Sequence, residues 1–284
     1  MTFLGGVYVG NNAPVRVMGI INVSPESFYK KSIKIKLKDI KKTAKTMEDM
    51  GASFIDIGAM STAPYLDTPI PIHEEVKRII QAIKIVKGSC GLPVLADTPR
   101  ATVAYEAIKA GADAINDISG LKYDTNMAKI IADTESSVVI GTYGYPLPHS
   151  WQISATKRYL QESLDIARRA KIAEDRMLID PSIGFFRGGG KNPFFTKIHG
   201  TDYYIRDIES ILDLKKLKTF QKPICISISR KSFIGHLFNS KAEDRLIGSI
   251  VAEITSAKNG ANIIRTHDVK QTVQGLIMAE ILDF

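Results

Sequence analysis

An α/β fold is predicted for this chain, a single-domain (β/α)8 TIM barrel spanning residues 1–284, and three observations carry the prediction. Eight short, nearly continuous apolar runs recur along the sequence, as expected of parallel strands covered on both faces. An amphipathic segment follows each run and supplies the crossover that parallel strands require. A length of 284 residues fits one such barrel, which closes when eight tilted strands surround a filled interior.

Residues 1–14 are expected to form a small hairpin plugging the barrel bottom. The first strand is VRVMGII (15–21), followed by a helix over 37–50 with Gly51 just past its end. SFIDIGA (53–59) leads to a helix over 70–87, and PVLAD (93–97) to one over 100–110, with Pro99 at its start and Gly111 beyond it. DAINDI (113–118) precedes a helix over 124–134 capped by Asp124, and SVVIGT (137–142) one over 151–171 anchored by Trp151. RMLID (176–180), PICISIS (223–229) and NIIRT (262–266) precede helices over 202–219, 240–258 and 268–282, the last capped by Asp268. An open doubly wound sheet would show a glycine-rich phosphate turn after its first strand, and VMGIINVSP contains no G-x-G-x-x-G.

Composition narrows the function classes. With 44% hydrophobic and 24% charged residues the chain can bury a sizeable core, which excludes disorder and fibrous repeats. It lacks a run of about 18 apolar residues and the marks of a signal peptide, so a cytoplasmic, non-membrane protein is expected. Cys90 and Cys225 have no metal-ligand spacing, which argues against a disulfide framework or structural zinc, and Cys225 reads as packing. A net charge of +8 favours an anionic partner. The densest basic run, SIKIKLKDIKK (32–42), reads as a solvated face. No basic cluster interleaved with aromatics marks one face, so nucleic acid is not expected.

In a barrel of this kind, function sits where strands end and loops begin. That rim carries Asn22, Asp56 with Ser61 and Thr62, Asp97, Asn116 with Asp117, Thr142 with Tyr143, Asp180, Ser229-Arg230-Lys231, and Arg265 with His267 and Asp268. Asp117 and Asp268 read best as helix caps. Asp97, Asn116, Asp180 and Lys231 combine acceptors with amide and ammonium donors, a set suited to a flat heterocycle with an amidine-like edge and a carbonyl. An ionised carboxylate accepts two parallel N–H bonds from such an edge. Asn22, Thr62, Arg265 and His267 form a second, donor-rich group suited to a phosphate or diphosphate leaving group, with Mg²⁺ shared between phosphate oxygens and Asn22.

GIINVSPESF (19–28), FIDIGAMST (54–62), ADTPRATVAYEAIKAGADAINDISG (96–120), DPSIGF (180–185), SRKSFIG (229–235) and RTHDV (265–269) resemble, in order and spacing, the signature segments of the dihydropteroate synthase family. The resemblance spans residues 17 to 269. It implies a transferase on a (β/α)8 barrel that joins 6-hydroxymethyl-7,8-dihydropterin diphosphate to 4-aminobenzoate or a related arylamine, phosphorylated or not, releasing diphosphate. It implies a pterin site of Asp97, Asn116, Asp180 and Lys231, and a diphosphate site of Asn22, Thr62, Arg265 and His267, with Asn22 as the Mg²⁺ ligand. Asp97, Lys231, Arg265 and His267 are the implied catalytic residues, and a homodimer is the implied assembly. A pterin-dependent methyltransferase and a non-catalytic pterin-binding protein are the alternatives.

Three departures accompany the match. The family's S-T-R-P-G is Ser61-Thr62-Ala63-Pro64-Tyr65 here, so the loop arginine is absent. Its S-D-G-G is replaced by Tyr29-Lys30-Lys31-Ser32. After the sixth strand the expected G-K-T becomes Phe185-Phe186-Arg187, followed by the insertion GGGKNPFFTKIHGTDYY, read as a flexible lid or packing loop. A P-loop is excluded because Phe185 and Asn192 stand where glycine and a hydroxyl are needed. Lys30, Lys31, Arg187 and Lys191 form a cationic set that would favour an arylamine with extra negative charge. His149 is expected to line or cover the rim rather than bind metal.

Overall fold

The computed structural model describes residues 1–10, 12–27, 29–34, 36–145, 153–200 and 202–283, with Lys31 described by its backbone alone. A hairpin of β1 (Thr2–Leu4) and β2 (Val7–Val9) opens the chain. Alternating elements follow: β3 (Arg16–Asn22), α1 (Leu37–Asp49), β4 (Phe54–Gly58), α2 (Ile72–Lys87), β5 (Val94–Asp97), α3 (Ala101–Lys109), β6 (Ala114–Asp117) and α4 (Met127–Asp133). Next come β7 (Ser137–Gly141), α5 (Ile153–Arg169), β8 (Met177–Asp180), the short strands β9 (Phe186–Arg187) and β10 (Thr196–Lys197), and α6 (Tyr203–Leu212). The chain ends with β11 (Cys225–Ser227), α7 (Ser232–Phe238), α8 (Leu246–Lys258), β12 (Ile263–Thr266) and α9 (Val269–Ile281).

Among the described residues an eight-stranded parallel sheet runs β11-β12-β3-β4-β5-β6-β7-β8. A bridge between Ile179 and Ile224, with the Ile179 N–H donating to the Pro223 carbonyl at 3.0 Å, joins its two ends into a barrel. Side chains alternate between the two faces of each strand. Ile55, Ile57, Val94, Ile115, Val138, Ile140, Ile179 and Ile264 face outward and pack beneath the helices. Met18, Phe54, Leu95, Ala114, Val139, Leu178, Cys225 and Ile263 face inward and fill the barrel, closed below by Leu4 and Val9 of the hairpin. Each of these large side chains is fully buried, worth about 1.5–3 kcal/mol for a Val, Leu, Ile, Phe or Met.

The structure revises the expected helices in three places. The stretch 202–219 divides into α6 and a 3₁₀ helix over Leu214–Phe220, because the buried Leu214 and Leu217 are three residues apart and face one way only at three residues per turn. The helix expected over 240–258 begins at Leu246, and α7 forms from part of SRKSFIG despite Gly235. A side chain there would meet Arg245, since a Cβ would lie 2.2 Å from Arg245 Nη2. The expected aspartate caps fare differently. Asp124 Oδ1 accepts the Asn126 N–H at 3.1 Å just before α4 while its Oδ2 accepts the Ala101 N–H at 2.8 Å at the start of α3; Asp117 binds a turn rather than a helix, and the Asp268 carboxylate is taken by Arg230. A bidentate guanidinium is the stronger partner. His149 and Trp151 lie outside the described residues. No helix among the described residues is long and apolar enough to cross a membrane.

Candidate active site

One step beyond the apolar filling, on the same inward face, the strands present Ile20, Asp56, Asp97, Asn116, Gly141, Asp180, Ser227 and Arg265. The Arg265 guanidinium lies between two carboxylates, with Nε donating to Asp56 Oδ2 at 2.5 Å, Nη2 to Asp97 Oδ2 at 2.6 Å and Nη1 to Ser227 Oγ at 3.3 Å. Asn116 Nδ2 donates to the same Asp56 oxygen at 3.0 Å, which leaves the amide carbonyl to accept from a ligand. Asp180 Oδ1 accepts the Ser182 N–H at 2.6 Å. Asp117 points the other way and is structural, accepting the N–H groups of Ser119 and Leu121.

Two pockets open above this layer and share Thr62, Asp97, Phe185 and Arg265 as walls. The narrower adds Asn116, Asp180 and Ser227; the broader adds Asn22, Lys231, His267, Arg187, Ser232 and Tyr65. All eight candidate residues named from the sequence therefore meet at one end of the barrel. The Lys231 ammonium lies 4.3 Å from the Phe185 ring centre, and its stem crosses Gly184. At φ +87°, with a Cβ 2.9 Å from Lys231 Cδ, position 184 accepts only glycine without strain.

Burial sets the protonation states. It pushes the Asp97 carboxyl up to about 7, Arg265 opposing the rise and Asp56 adding to it. It raises Asp180 to about 6 against the Ser182 hydrogen bond and the Lys231 charge. Burial, then the Arg265 charge, brings Lys231 down to about 8. Burial also works against the Arg265 cation, but Asp56 and Asp97 more than reverse that and hold it charged. His267 sits well below its ordinary value through burial and the nearby Arg265 and Arg230 charges, so it is a neutral imidazole with one N–H to donate.

The rim loops are tied down. Asn22 Nδ2 donates to Ser32 Oγ at 2.8 Å and the Lys34 N–H donates to the Asn22 carbonyl at 2.8 Å, folding the loop after β3 back over its strand. The insertion after β9 packs as a wall. Asn192, buried, donates to the carbonyls of Ala63 at 2.7 Å and Leu66 at 3.1 Å, and the Lys191 N–H donates to the Pro64 carbonyl. Tyr143 Oη donates to the Pro193 carbonyl, and the Phe194 ring meets Tyr123 at 4.9 Å. The expected cationic set does not assemble: Lys30 donates to the Pro25 carbonyl, Lys191 is exposed, and among the described side chains of that set only Arg187 lines the pocket. The Lys191 backbone bond holds residue 191 against the loop after β4, and the Lys30 side chain is held within its own loop.

Asp56, which holds both Arg265 and Asn116, was on the sequence rim but not among the candidates. Its position two residues beyond Phe54, in step with Asp97 and Asp180, was the available signal. Asp207 of α6, whose Oδ1 accepts the Gly184 N–H at 2.9 Å, left only a weaker one, a charged pair within an amphipathic helix. Among the described residues no three His, Cys, Asp or Glu side chains gather to hold a metal ion.

A model of the pterin binding enzyme family matches residues 18–267. The dihydropteroate synthase of Clostridium beijerinckii is 33% identical over 94% of this chain and 93% of its own length. A dihydropteroate synthase structure from Coxiella burnetii in complex with pteroic acid aligns with a TM-score of 0.81 at 32% identity, covering 95% of this chain and 94% of that one. One from Xanthomonas albilineans with 4-aminobenzoic acid aligns at 0.80 and 28% identity, covering 95% and 93%.

Proposed function

We propose a reaction for this chain from one premise: it belongs to the pterin-binding enzyme family, among the dihydropteroate synthases. It is a transferase that forms a carbon–nitrogen bond, condensing 6-hydroxymethyl-7,8-dihydropterin diphosphate with 4-aminobenzoate. The observation that carries the residue assignments is the shared wall of the two pockets, which sets Asp97, Asn116, Asp180 and Lys231 beside Asn22, Thr62, Arg265 and His267.

In this reading the free Asp180 oxygen accepts from the amino-pyrimidine edge, the Asn116 carbonyl accepts a ring N–H, and Lys231 donates to the ring carbonyl. The bond from the exocyclic carbon to the diphosphate oxygen breaks with both electrons leaving on oxygen. The amine lone pair then forms the C–N bond, and the nitrogen gives up a proton to solvent water. Asp97 stabilises the positive charge that develops on the pterin. Arg265 spends three of its five N–H donors on Asp56, Asp97 and Ser227, leaving two for the departing anion beside Thr62, Asn22 and neutral His267.

Mg²⁺ fits this site as an ion carried mainly by substrate oxygens, the common pattern for that metal. With Asn22 Nδ2 committed to Ser32, the Asn22 Oδ1 is the ligand atom that remains, and Gly58 leaves space beside it. Bound there, Mg²⁺ would supply charge neutralisation to the diphosphate. Incubating purified protein with both substrates and Mg²⁺ tests the reading. Diphosphate release matched by dihydropteroate supports it; no diphosphate release with any arylamine, phosphorylated ones included, rejects it.

The assembly in this proposal is a homodimer. Leu212, Leu237, Phe238, Ile247 and Val251 are exposed side by side along one groove of α6, α7 and α8, an apolar face of the kind a two-fold interface covers. Free Cys90 and Cys225 suit the cytoplasm.

A further inference from the structure

Arg187 is an unusual side chain for a pocket wall. It is only 7% exposed, yet it lines the broad pocket beside Lys231, Ser232 and Tyr65. Its surroundings fix it from several sides. Nη1 donates to the Phe186 carbonyl at 2.9 Å, Nη2 donates to Ser232 Oγ at 2.6 Å, and the guanidinium carbon lies 3.9 Å from the centre of the Tyr203 ring. Asp207, fully buried, sits 3.5 Å from Nη1. An immobilised guanidinium loses little freedom on binding, and its planar fork matches a carboxylate.

Charge accounting shows what this wall lacks. Asp207 is shared, because Arg206, also fully buried, lies 3.5 Å from its other oxygen. Two guanidinium groups thus face one carboxylate. Arg206 donates from its two terminal nitrogens to the Pro181 and Ser182 carbonyls and Thr156 Oγ1, stacks on Phe186 and lines neither pocket of the site, while its buried Nε has no hydrogen-bond partner among the described residues. Of the cations around Asp207, Arg187 and Lys231 line the broad pocket, and Lys231 serves the pterin carbonyl in the reaction proposed above, which leaves Arg187 for a second ligand. Uncompensated buried charge is costly, so an anion of one unit placed there is stabilised from both sides.

Topology separates this arm from the diphosphate residues. Arg187 and Ser232 follow β8 and β11, whereas Asn22 and His267 follow β3 and β12 on the far side of Arg265. Between the arms stand Phe185, Pro64 and Tyr65, flat apolar surfaces suited to a benzene ring. We infer that Arg187 binds the carboxylate of the arylamine, so that this protein selects aromatic amines carrying a single negative charge opposite the amino group. The inference rests on the reaction proposed above and assigns the residue that holds the carboxylate of its second substrate. It also sets a cation in the pocket that Ala63 lines, where the family's loop arginine is absent.

Steady-state kinetics with 4-aminobenzoate, the near-isosteric neutral 4-aminobenzamide and 4-aminophenyl phosphate test it. Arg187→Met should raise KM for 4-aminobenzoate at least about tenfold more than for 4-aminobenzamide, about 1.4 kcal/mol of lost discrimination. Arg187→Lys should restore part of that discrimination. Equal losses for both amines, or none, overturn the assignment, as does a wild-type preference for the phosphate ester. Should Arg187→Met fail to fold, the wild-type ratio of kcat/KM for the two amines decides, and a ratio near one overturns it. Wild-type protein that releases no diphosphate with any of these amines rejects the reaction itself, an outcome distinct from turnover without discrimination.

Discussion

Asp56 touches no substrate in the proposed reaction, yet two residues that do are aimed by it. Its Oδ2 takes hydrogen bonds from both Arg265 and Asn116, and its Oδ1 has no hydrogen-bond partner in the buried layer. Asp56→Asn should lower kcat/KM by about 100-fold, because misplacing reacting groups by about 1 Å costs that much. Asp56→Ala should in addition cost about 3–5 kcal/mol in chemical denaturation, the usual loss on breaking a buried ion pair. An Asp56→Asn enzyme with unchanged kinetics would show that Arg265 needs no guide. The protonation states add a pH profile. Asp180 becomes ionised above about 6, Asp97 above about 7, and Lys231 loses its proton above about 8, so kcat/KM should rise through the first two values and fall beyond the third. Asp180→Asn should remove the step near 6 and leave the Asp97 step near 7; an unchanged acid limb would show that Asp180 does not shape it. The candidate residues were legible at this scale because a strand alternates with period two. Their hydrogen bonds were not, because Arg265 and Asp56 stand 209 positions apart.

Helices α8 and α9 meet over a buried carboxyl. Glu253 accepts from Thr272 Oγ1 at 2.7 Å, and burial raises its pKa to about 8, against that bond. In the unfolded chain a glutamate ionises near about 4.3. The folded protein therefore favours the neutral acid, a contribution complete below about pH 4 and lost as pH rises through about 8. Glu253→Gln cannot ionise and should flatten the decline in thermal stability between about pH 5 and 9; parallel slopes for the two proteins would contradict this. Legibility at this scale followed hydrophobic period. The Gly51 and Gly111 stops were visible, and both residues adopt positive φ. The break after α6 and the start of α7 were not, because they depend on which leucines the neighbouring helices bury and on Arg245 lying against Gly235.

At the scale of the molecule, the apolar groove of α6, α7 and α8 and the candidate-site rim are separate surfaces that share no lining residue among the described residues. Phe238→Asp combined with Ile247→Asp should therefore shift the protein from dimer to monomer by light scattering while leaving the barrel folded; wild-type protein that runs as a monomer would remove the proposed dimer. The sequence by itself determined the number and order of strands, which of their residues point inward, and the eight side chains gathered at one rim, because alternation and amphipathic spacing are local properties. Only the tertiary structure decided that Arg265 is clamped between Asp56 and Asp97, that the insertion after β9 is a fixed wall, and that among the described side chains of the expected cations Arg187 alone lines the pocket. Those outcomes depend on barrel closure, which brings together groups far apart in the chain and sets by burial which charges must find partners.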